Sequence, residues 1–420
     1  MSSKTVYFQG VSEGNQEHFL ERTLLVNYLT INEYLFTNDL KKADVVICDT
    51  CLFYYEDSIK TIDYLNNNRN SNALFIVTGV LSSRKGLIKD REGIIFLLNE
   101  ELDHLDSILG VTHPFNTINQ PFVNQFGLYS IYIAKGCYQD CTFCVDKYGF
   151  GQLRSLDPDD IIALFKRGLE DKHERFSFVA QNTAIYGWDI GTNLAALLNR
   201  ILKISGNYRI GLDCMNPEFL SYADELRPIL KSGKIDSMRI SLITVTDRLI
   251  KLVGKDFKMQ DFMSFLSWME RYCSTTKITL ILIIGYPGES FNDFKIMLEF
   301  ILRHSRAHVT FTTYEYKDIY FAESYHLKDK LDKAHIKIRS MLVDIILKIT
   351  KKYRMQSGKA TLIKKRLSKI ISESSSYDEI AQGLLHVSKQ LDPPDEVLTV
   401  LSYKTLYMIE VGGRLSSEVL

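Results

Sequence analysis

Three cysteines, Cys137, Cys141 and Cys144, fall within eight positions of the stretch "KGCYQDCTFC", in a 420-residue chain with seven cysteines in all. Thiolates packed this densely on a polar stretch are soft ligands, suited to zinc or to iron and sulfur. Zinc asks for four tetrahedral ligands, usually as two pairs, and no second pair of suitable spacing follows the trio. Three thiolates on a four-iron cluster leave one iron open to a small molecule, which is what a catalytic site requires. The other cysteines read differently. Cys48 and Cys51 form "CDTC", a spacing open to a redox or metal pair. On a strand, however, positions three apart point to opposite faces, so a buried core thiol is the bland alternative at Cys48. Cys214 and Cys273 are isolated and are expected in the core. Asp213, Glu315, Lys317 and Asp318, near expected strand ends, are candidates for a substrate's polar groups.

The elements that must position these residues repeat in order along the chain. Residues 4 to 110 alternate short apolar strands, "TVYF", "ADVVIC" and "ALFIVTG", with helical segments such as "EHFLERTLLVNYL" and "EDSIKTIDYL". That alternation predicts an α/β domain, a small parallel sheet with helices on its faces. Residues 111–127 carry two prolines and three asparagines without periodicity and read as a linker. Six strands follow: "LYSIYIA", "RFSFVA", "YRIGLD", "SMRISLI", "KITLILIIG" and "HVTFTTYE", each leading through a loop to a helical stretch. Six βα units predict a partial (β/α)6 TIM-like barrel, with chemistry at the carboxyl ends of its strands. The cysteines come directly after the first of these strands. In "SLDPDDIIALFKRGLE", Asp157 is a candidate helix cap and Pro158 a first-turn residue. From 328 the pattern is helical, with an apolar stripe in "HIKIRSMLVDIILKIT" and a later helix expected in "DPPDEVLTVLSY".

Lys plus Arg and Asp plus Glu are 51 each, so net charge gives no pull toward nucleic acid or an anionic membrane. No apolar run approaches the roughly 20 residues that span a bilayer. The amino terminus "MSSKTVYFQG" lacks a basic stretch followed by an apolar core. An odd, uneven set of cysteines argues against a disulfide framework. These features together predict a cytoplasmic protein without a membrane partner. Between Asp344 and Glu373 there are nine Lys or Arg residues and no acidic one. Such a run reads as the solvated side of helices or as a grip on phosphate or acidic peptide.

The C-x3-C-x2-C spacing, with Phe143 before the last cysteine on the first barrel loop, resembles the radical S-adenosylmethionine (radical SAM) superfamily. "VAQNTAIYGWDIGTNLAALLNRIL", "ISLITVTDRLIKLVGKDF", "LILIIGYPGESFNDF", "KKADVVICDTC" and "FIVTGVLSSR" resemble successive stretches of its methylthiotransferases. The resemblance implies a flavodoxin-like domain over 1–115, a radical SAM core over 116–327 and a helical region over 328–420. It also implies one [4Fe-4S] cluster on Cys137, Cys141 and Cys144, with S-adenosylmethionine on the open iron. Carried over residue by residue, Phe143 backbone faces adenine, Gln181 and Asn182 lie near the methionine end, and Ser241 faces the ribose. Gly285, Pro287, Gly288 and Glu289 form the turn after the fifth strand, and Tyr314 meets the adenine.

The pattern also breaks. Methylthiotransferases hold a second, sulfur-supplying cluster on three cysteines, whose places here are Val11, Cys51 and Val80. Valine offers iron no lone pair, and one thiolate does not hold a four-iron cluster. Ile243 and Ile281 stand where the family usually has glutamine and aspartate, which implies a less polar cavity and a different substrate. The helical tail replaces the family's RNA-gripping β-barrel, so nucleic acid is not the expected partner. The first expectation is therefore a radical SAM enzyme that forms a 5′-deoxyadenosyl radical and takes hydrogen from a small molecule or a peptide. It would draw electrons from an external donor such as flavodoxin or ferredoxin. A second is methylthio or methyl transfer to tRNA, peptide or small molecule, with cobalamin as a possible helper although the D-x-H-x-x-G signature is missing. A third is a non-catalytic iron–sulfur protein.

Overall fold

The protein is described by a computed structural model. It covers residues 4–10, 16–50, 55–89, 91–115, 121–123, 127–145, 147–306, 308–317, 322–353, 357–390 and 401–409. Val11, Cys51, Asp318 and most of the later helix expected around 393–400 lie outside these described residues. The chain divides into two compact units, 1–140 with 144–214, and 141–143 with 215–420.

The first unit opens with β1 (Thr5–Gly10), α1 (Gln16–Ile31), β2 (Leu35–Phe36), β3 (Val45–Thr50), α2 (Tyr55–Asn68), β4 (Leu74–Gly79), β5 (Ile94–Phe96) and α3 (Leu105–Leu109). The strands lie in the order β2-β1-β3-β4-β5, and every pairing is parallel. This 2-1-3-4-5 order is that of the flavodoxin-like doubly wound sheet. Central β3 is buried along its whole length, the signature of a strand covered on both faces. Leu24, Leu25, Tyr28 and Leu29 of α1 pack on Val6, Val45, Ile47 and Ile76, and Leu105 and Leu109 of α3 join them. Tyr28 donates its hydroxyl proton to Asp106 at 2.9 Å, giving this buried phenol a partner.

The unit continues with β6 (Phe122–Val123), β7 (Tyr129–Tyr132), β8 (Ala134–Lys135), α4 (Lys147–Phe150), β9 (Arg154–Ser155), α5 (Pro158–Glu170), β10 (Arg175–Val179), α6 (Leu194–Ile201) and β11 (Arg209–Met215). β7, β10 and β11 run parallel. The stretch expected as a bare linker contributes β6, antiparallel to β7. α5 starts as its sequence predicts, with Asp157 accepting from Asp159 N–H at 2.7 Å and Pro158 in the first turn.

The second unit holds α7 (Ala223–Lys231), β12 (Ile235–Ile243), α8 (Asp247–Leu252), α9 (Met259–Tyr272), β13 (Lys277–Ile284), α10 (Phe291–His304), β14 (Val309–Glu315), α11 (Lys333–Tyr353), α12 (Ser357–Glu373), α13 (Tyr377–Lys389) and a helix over 401–409. β12, β13 and β14 are parallel, so all six expected strands are present, as β7 and β10 to β14. α11 packs on β13, β14, α10, α12 and α13. The basic run falls mainly on α11 and α12, where Lys364 donates to Ser305 C=O at 2.9 Å and Arg366 to Gln390 at 3.0 Å. Among the described residues no helix is long and apolar enough to cross a membrane.

Helix α10 is capped by a reciprocal pair. Asp293 N–H donates to Ser290 Oγ at 3.1 Å, and Ser290 N–H donates back to Asp293 Oδ2 at 2.9 Å. Asp293 also accepts from Thr246 at 3.0 Å and from Arg248. Burial alone would raise this carboxyl. The bonds from Ser290, Arg248 and Thr246 outweigh it and hold the carboxyl below the usual aspartate range. Because the folded value is depressed, this stabilisation is present above the ordinary value of about 3.9 and lost as pH falls through the folded value. Asp293→Asn is expected to flatten the acid limb of stability below about pH 4. Thermal melts of both proteins across that range check it; parallel acid limbs overturn it.

Candidate functional site

In the first unit the cysteine-bearing stretch is an excursion closed at its base. β8 and β9 pair antiparallel, with Ala134 opposite Ser155 and Lys135 opposite Arg154. Above that ribbon, Cys137 N–H donates to Gly151 C=O at 3.1 Å. Gly136 sits at φ 74°, and a Cβ there would lie 2.1 Å from Gln152 O, so only glycine lets the two arms come this close. Gly136 N–H donates to Gln181 Oε1 at 2.8 Å, and Gln181 Nε2 donates to the Tyr132 hydroxyl. Gln181 thus fixes the backbone beside Cys137. Asn182 is fully buried, and its side chain accepts from Ala184 N–H at 3.1 Å, capping the short turn after β10. Asp213 is buried near the end of β11; its carbonyl accepts from Thr183 at 2.7 Å, and its carboxylate accepts from Cys214 N–H at 2.8 Å.

In the second unit the far part of the loop is gripped through Thr142. Its N–H donates to Val253 C=O at 2.9 Å, its hydroxyl donates to Leu252 C=O at 3.0 Å, and its carbonyl accepts from Ser324 N–H at 2.8 Å. The Thr142 and Tyr286 hydroxyls share a further hydrogen bond. Phe143 packs against Ile243, Val253 and Tyr286. Ser241 is half-buried on β12, opposite Ile281 in register, and an irregularity separates it from Ile243. Ile243 is buried at φ 72°, outside the range a β-branched residue ordinarily adopts. Ile281 is buried as well. Tyr314 is 52% exposed on β14, and Glu315 beside it pairs with Lys337 at 3.1 Å.

The turn after β13 is built from Gly285 and Gly288, both at positive φ. A Cβ on Gly285 would press on Ile336 at 2.6 Å and one on Gly288 on Leu252 at 3.0 Å, so the backbone is drawn in close. Glu289 closes the turn by accepting from Gly285 N–H at 3.0 Å. The rest of its carboxylate meets Arg339 of α11 in an ion pair whose side chains are 1% and 2% exposed. Arg339 Nε also donates to the Tyr377 hydroxyl at 2.7 Å. Burial pushes the Glu289 carboxyl upward, and Arg339 and Gly285 N–H pull it back. The side chain of Glu289 is therefore committed within the protein.

Sequence reasoning missed Thr142, Tyr286 and Arg339. Thr142 lies inside the cysteine motif itself. Arg339 had a signal, a charged residue within the buried stripe Ile336, Arg339, Val343 and Ile346. Cys48 is a fully buried thiol on β3, pushed well up by burial, so it stays protonated and inert. Cys273 is buried as expected. Cys214 is not: it is half-buried at φ 50°, because the backbone turns where its N–H meets Asp213.

The donor set suits an iron–sulfur cluster in kind, three soft thiols in one short loop and none in a disulfide. Among the described residues no three His, Cys, Asp or Glu side chains are gathered closely enough to hold a metal ion as they stand. The fit thus lies in donor chemistry and a braced backbone. The close-drawn glycine turn is likewise suited to a nucleoside approaching backbone.

Residues 131–301 match the model of the Radical SAM superfamily. A probable threonylcarbamoyladenosine tRNA methylthiotransferase of Pyrococcus horikoshii is 31% identical over 173 residues, 41% of each chain. The match thus spans about two fifths of that relative's length. The ribosomal protein uS12 methylthiotransferase RimO of Acetivibrio thermocellus is 25% identical over 88% of this chain and 87% of its own. Among solved structures, the cobalamin-dependent S-adenosylmethionine radical enzyme OxsB aligns over all of this chain and 82% of its own, with TM-score 0.59 and 11% identity. That likeness concerns the fold.

Arg339→Met leaves the Glu289 carboxylate buried without its partner, an arrangement that typically costs about 3–5 kcal/mol. Urea unfolding is expected to show that loss. The double change Glu289→Leu with Arg339→Met is expected to recover part of it. A single variant as stable as the parent contradicts the pairing.

Proposed function

From the premise that residues 131–301 form a radical SAM domain and that the chain is an enzyme of that type, we propose that it works with a single cluster and takes hydrogen from a small molecule or a peptide. Val80 carries this reading. It stands where the resemblance places a ligand of the second, sulfur-supplying cluster, and it is fully buried. A Cβ on Gly149 would meet Val80 Cα at 2.7 Å, so this position is filled by packed hydrocarbon. Cys137, Cys141 and Cys144 would hold the remaining cluster, and Gly285 to Gly288 with Phe143 would receive the nucleoside of S-adenosylmethionine. A reduced cluster of this kind supplies the electron that cleaves the sulfonium bond and yields a 5′-deoxyadenosyl radical.

The protein's own part is positional. Gln181 and Thr142 hold the thiol-bearing backbone at two points, and Glu289 keeps the glycine turn closed. Apolar Ile243 and Ile281 limit the polar contacts a substrate can make, which favours abstraction from an unactivated carbon. An external one-electron donor such as flavodoxin or ferredoxin completes the reaction. The methylthiotransferase names of the relatives support a second reading, methylthio or methyl transfer, with sulfur supplied from elsewhere or with cobalamin held in the first domain.

Protein reconstituted without oxygen is expected to bind about four irons and to form 5′-deoxyadenosine from S-adenosylmethionine and a reductant. Cys141→Ala is expected to lose both. About eight irons per chain, or a methylthiolated product, overturns the single-cluster reading. Mass spectrometry of candidate small molecules and peptides after turnover reads the product.

A further inference from the structure

Lys147 opens α4 three residues after Cys144, and Tyr148 N–H donates to Val145 C=O at 3.1 Å, which turns the chain back just beyond that cysteine. Its ammonium donates to Asp140 Oδ1 at 2.6 Å, and Asp140 directly precedes Cys141. The bond thus joins the stretch before one cysteine to the stretch after the next.

The two partners meet water differently: the lysine side chain is 12% exposed and the aspartate side chain 84%. A pair whose acid stands in open water adds little to stability, because solvent screens the attraction. What the bond does is hold a positive charge in a fixed place. The same ammonium lies 5.5 Å from the centre of the Tyr148 ring, and Arg84, on the turn after β4, stacks on that ring at 4.4 Å. Two residues before Cys137, the Lys135 ammonium lies 6.0 Å from the Tyr132 ring. Cations therefore border the loop at both ends.

We propose that Lys147 is a positioning residue of this loop: steered by Asp140, its ammonium sets a positive field on the thiol trio and favours the more negative state of whatever the thiols hold. An iron–sulfur cluster becomes more negative by one charge when the external donor gives it an electron, so a fixed cation beside it makes that electron easier to deliver. This consequence rests on the function proposed above. The field does not, since it needs only the residues of the loop.

Two reagents read the field without any cluster. Iodoacetate and iodoacetamide alkylate the same thiolates, but only the first is an anion, so the ratio of their rates reports the local potential whatever fraction of the thiols is ionised. In reduced, cluster-free protein at low ionic strength, Lys147→Met is expected to lower that ratio at Cys137, Cys141 and Cys144 by about threefold or more, read by mass spectrometry of the peptides. Lys147→Arg is expected to keep it and Asp140→Asn to raise it. In reconstituted protein, redox titration of the reduced cluster's electron-spin signal is expected to follow the same signs, a lower potential in Lys147→Met and a higher one in Asp140→Asn. A bond that merely closes the loop moves both variants the same way, and that result overturns the proposal. So do ratios unchanged in both variants, or potentials of loaded protein that ignore both changes. Asp140→Asn alters an exposed carboxylate and keeps the test decisive if Lys147→Met does not fold. Ratios that move as expected while no four-iron cluster forms count against the function proposed above and leave the field on the thiols standing.

Discussion

A loop that presents several thiols to one ligand has to be rigid beforehand, because fixing each free backbone residue costs roughly 1–2 kcal/mol. Much of the chain around residues 136–144 meets that requirement. The antiparallel ribbon of β8 and β9 closes the base. Gln181 secures Gly136, and four backbone or hydroxyl bonds secure Thr142. Within the loop itself, Gln139 N–H donates to Cys137 Sγ at 3.4 Å. Gln181, expected beside the methionine end of the cofactor, holds the loop at Gly136 from its position after β10.

Much of the architecture was legible because parallel strands buried on both faces read as apolar runs. β3 and β4 announce themselves as "VVIC" and "LFIVTG", and the six later strands all fall on their quoted stretches. The cap of α5 was equally plain, since Asp-Pro carries its own backbone preference. β6 was not legible, because two residues paired by register leave no periodicity to detect. Nor was the ribbon: its bonds join backbone groups that every residue type possesses.

The site was legible in its ligands and less so in its supports. Spacing marks a thiol trio, whereas the grip on Thr142 comes from carbonyls more than a hundred positions away, and carbonyls leave no trace in a sequence. Ile243 shows the same limit from another side. Its identity suggested an apolar lining, but its left-handed backbone is set by the irregular register between β12 and β13. Such strain costs of order 1–3 kcal/mol and persists only where surrounding structure enforces it. Here Phe143, Val253 and Tyr286 pack around it.

The ion pair between Glu289 and Arg339 ties a five-residue turn to a helix fifty positions later. Its members are useful only together, so α11 and the turn that follows β13 have to change in concert. A lineage could not exchange its last helices like a cassette for some other appendage without also rewriting that turn. The tail is in this sense part of the inheritance of the barrel strands, bound to them by a charge that has nowhere else to go.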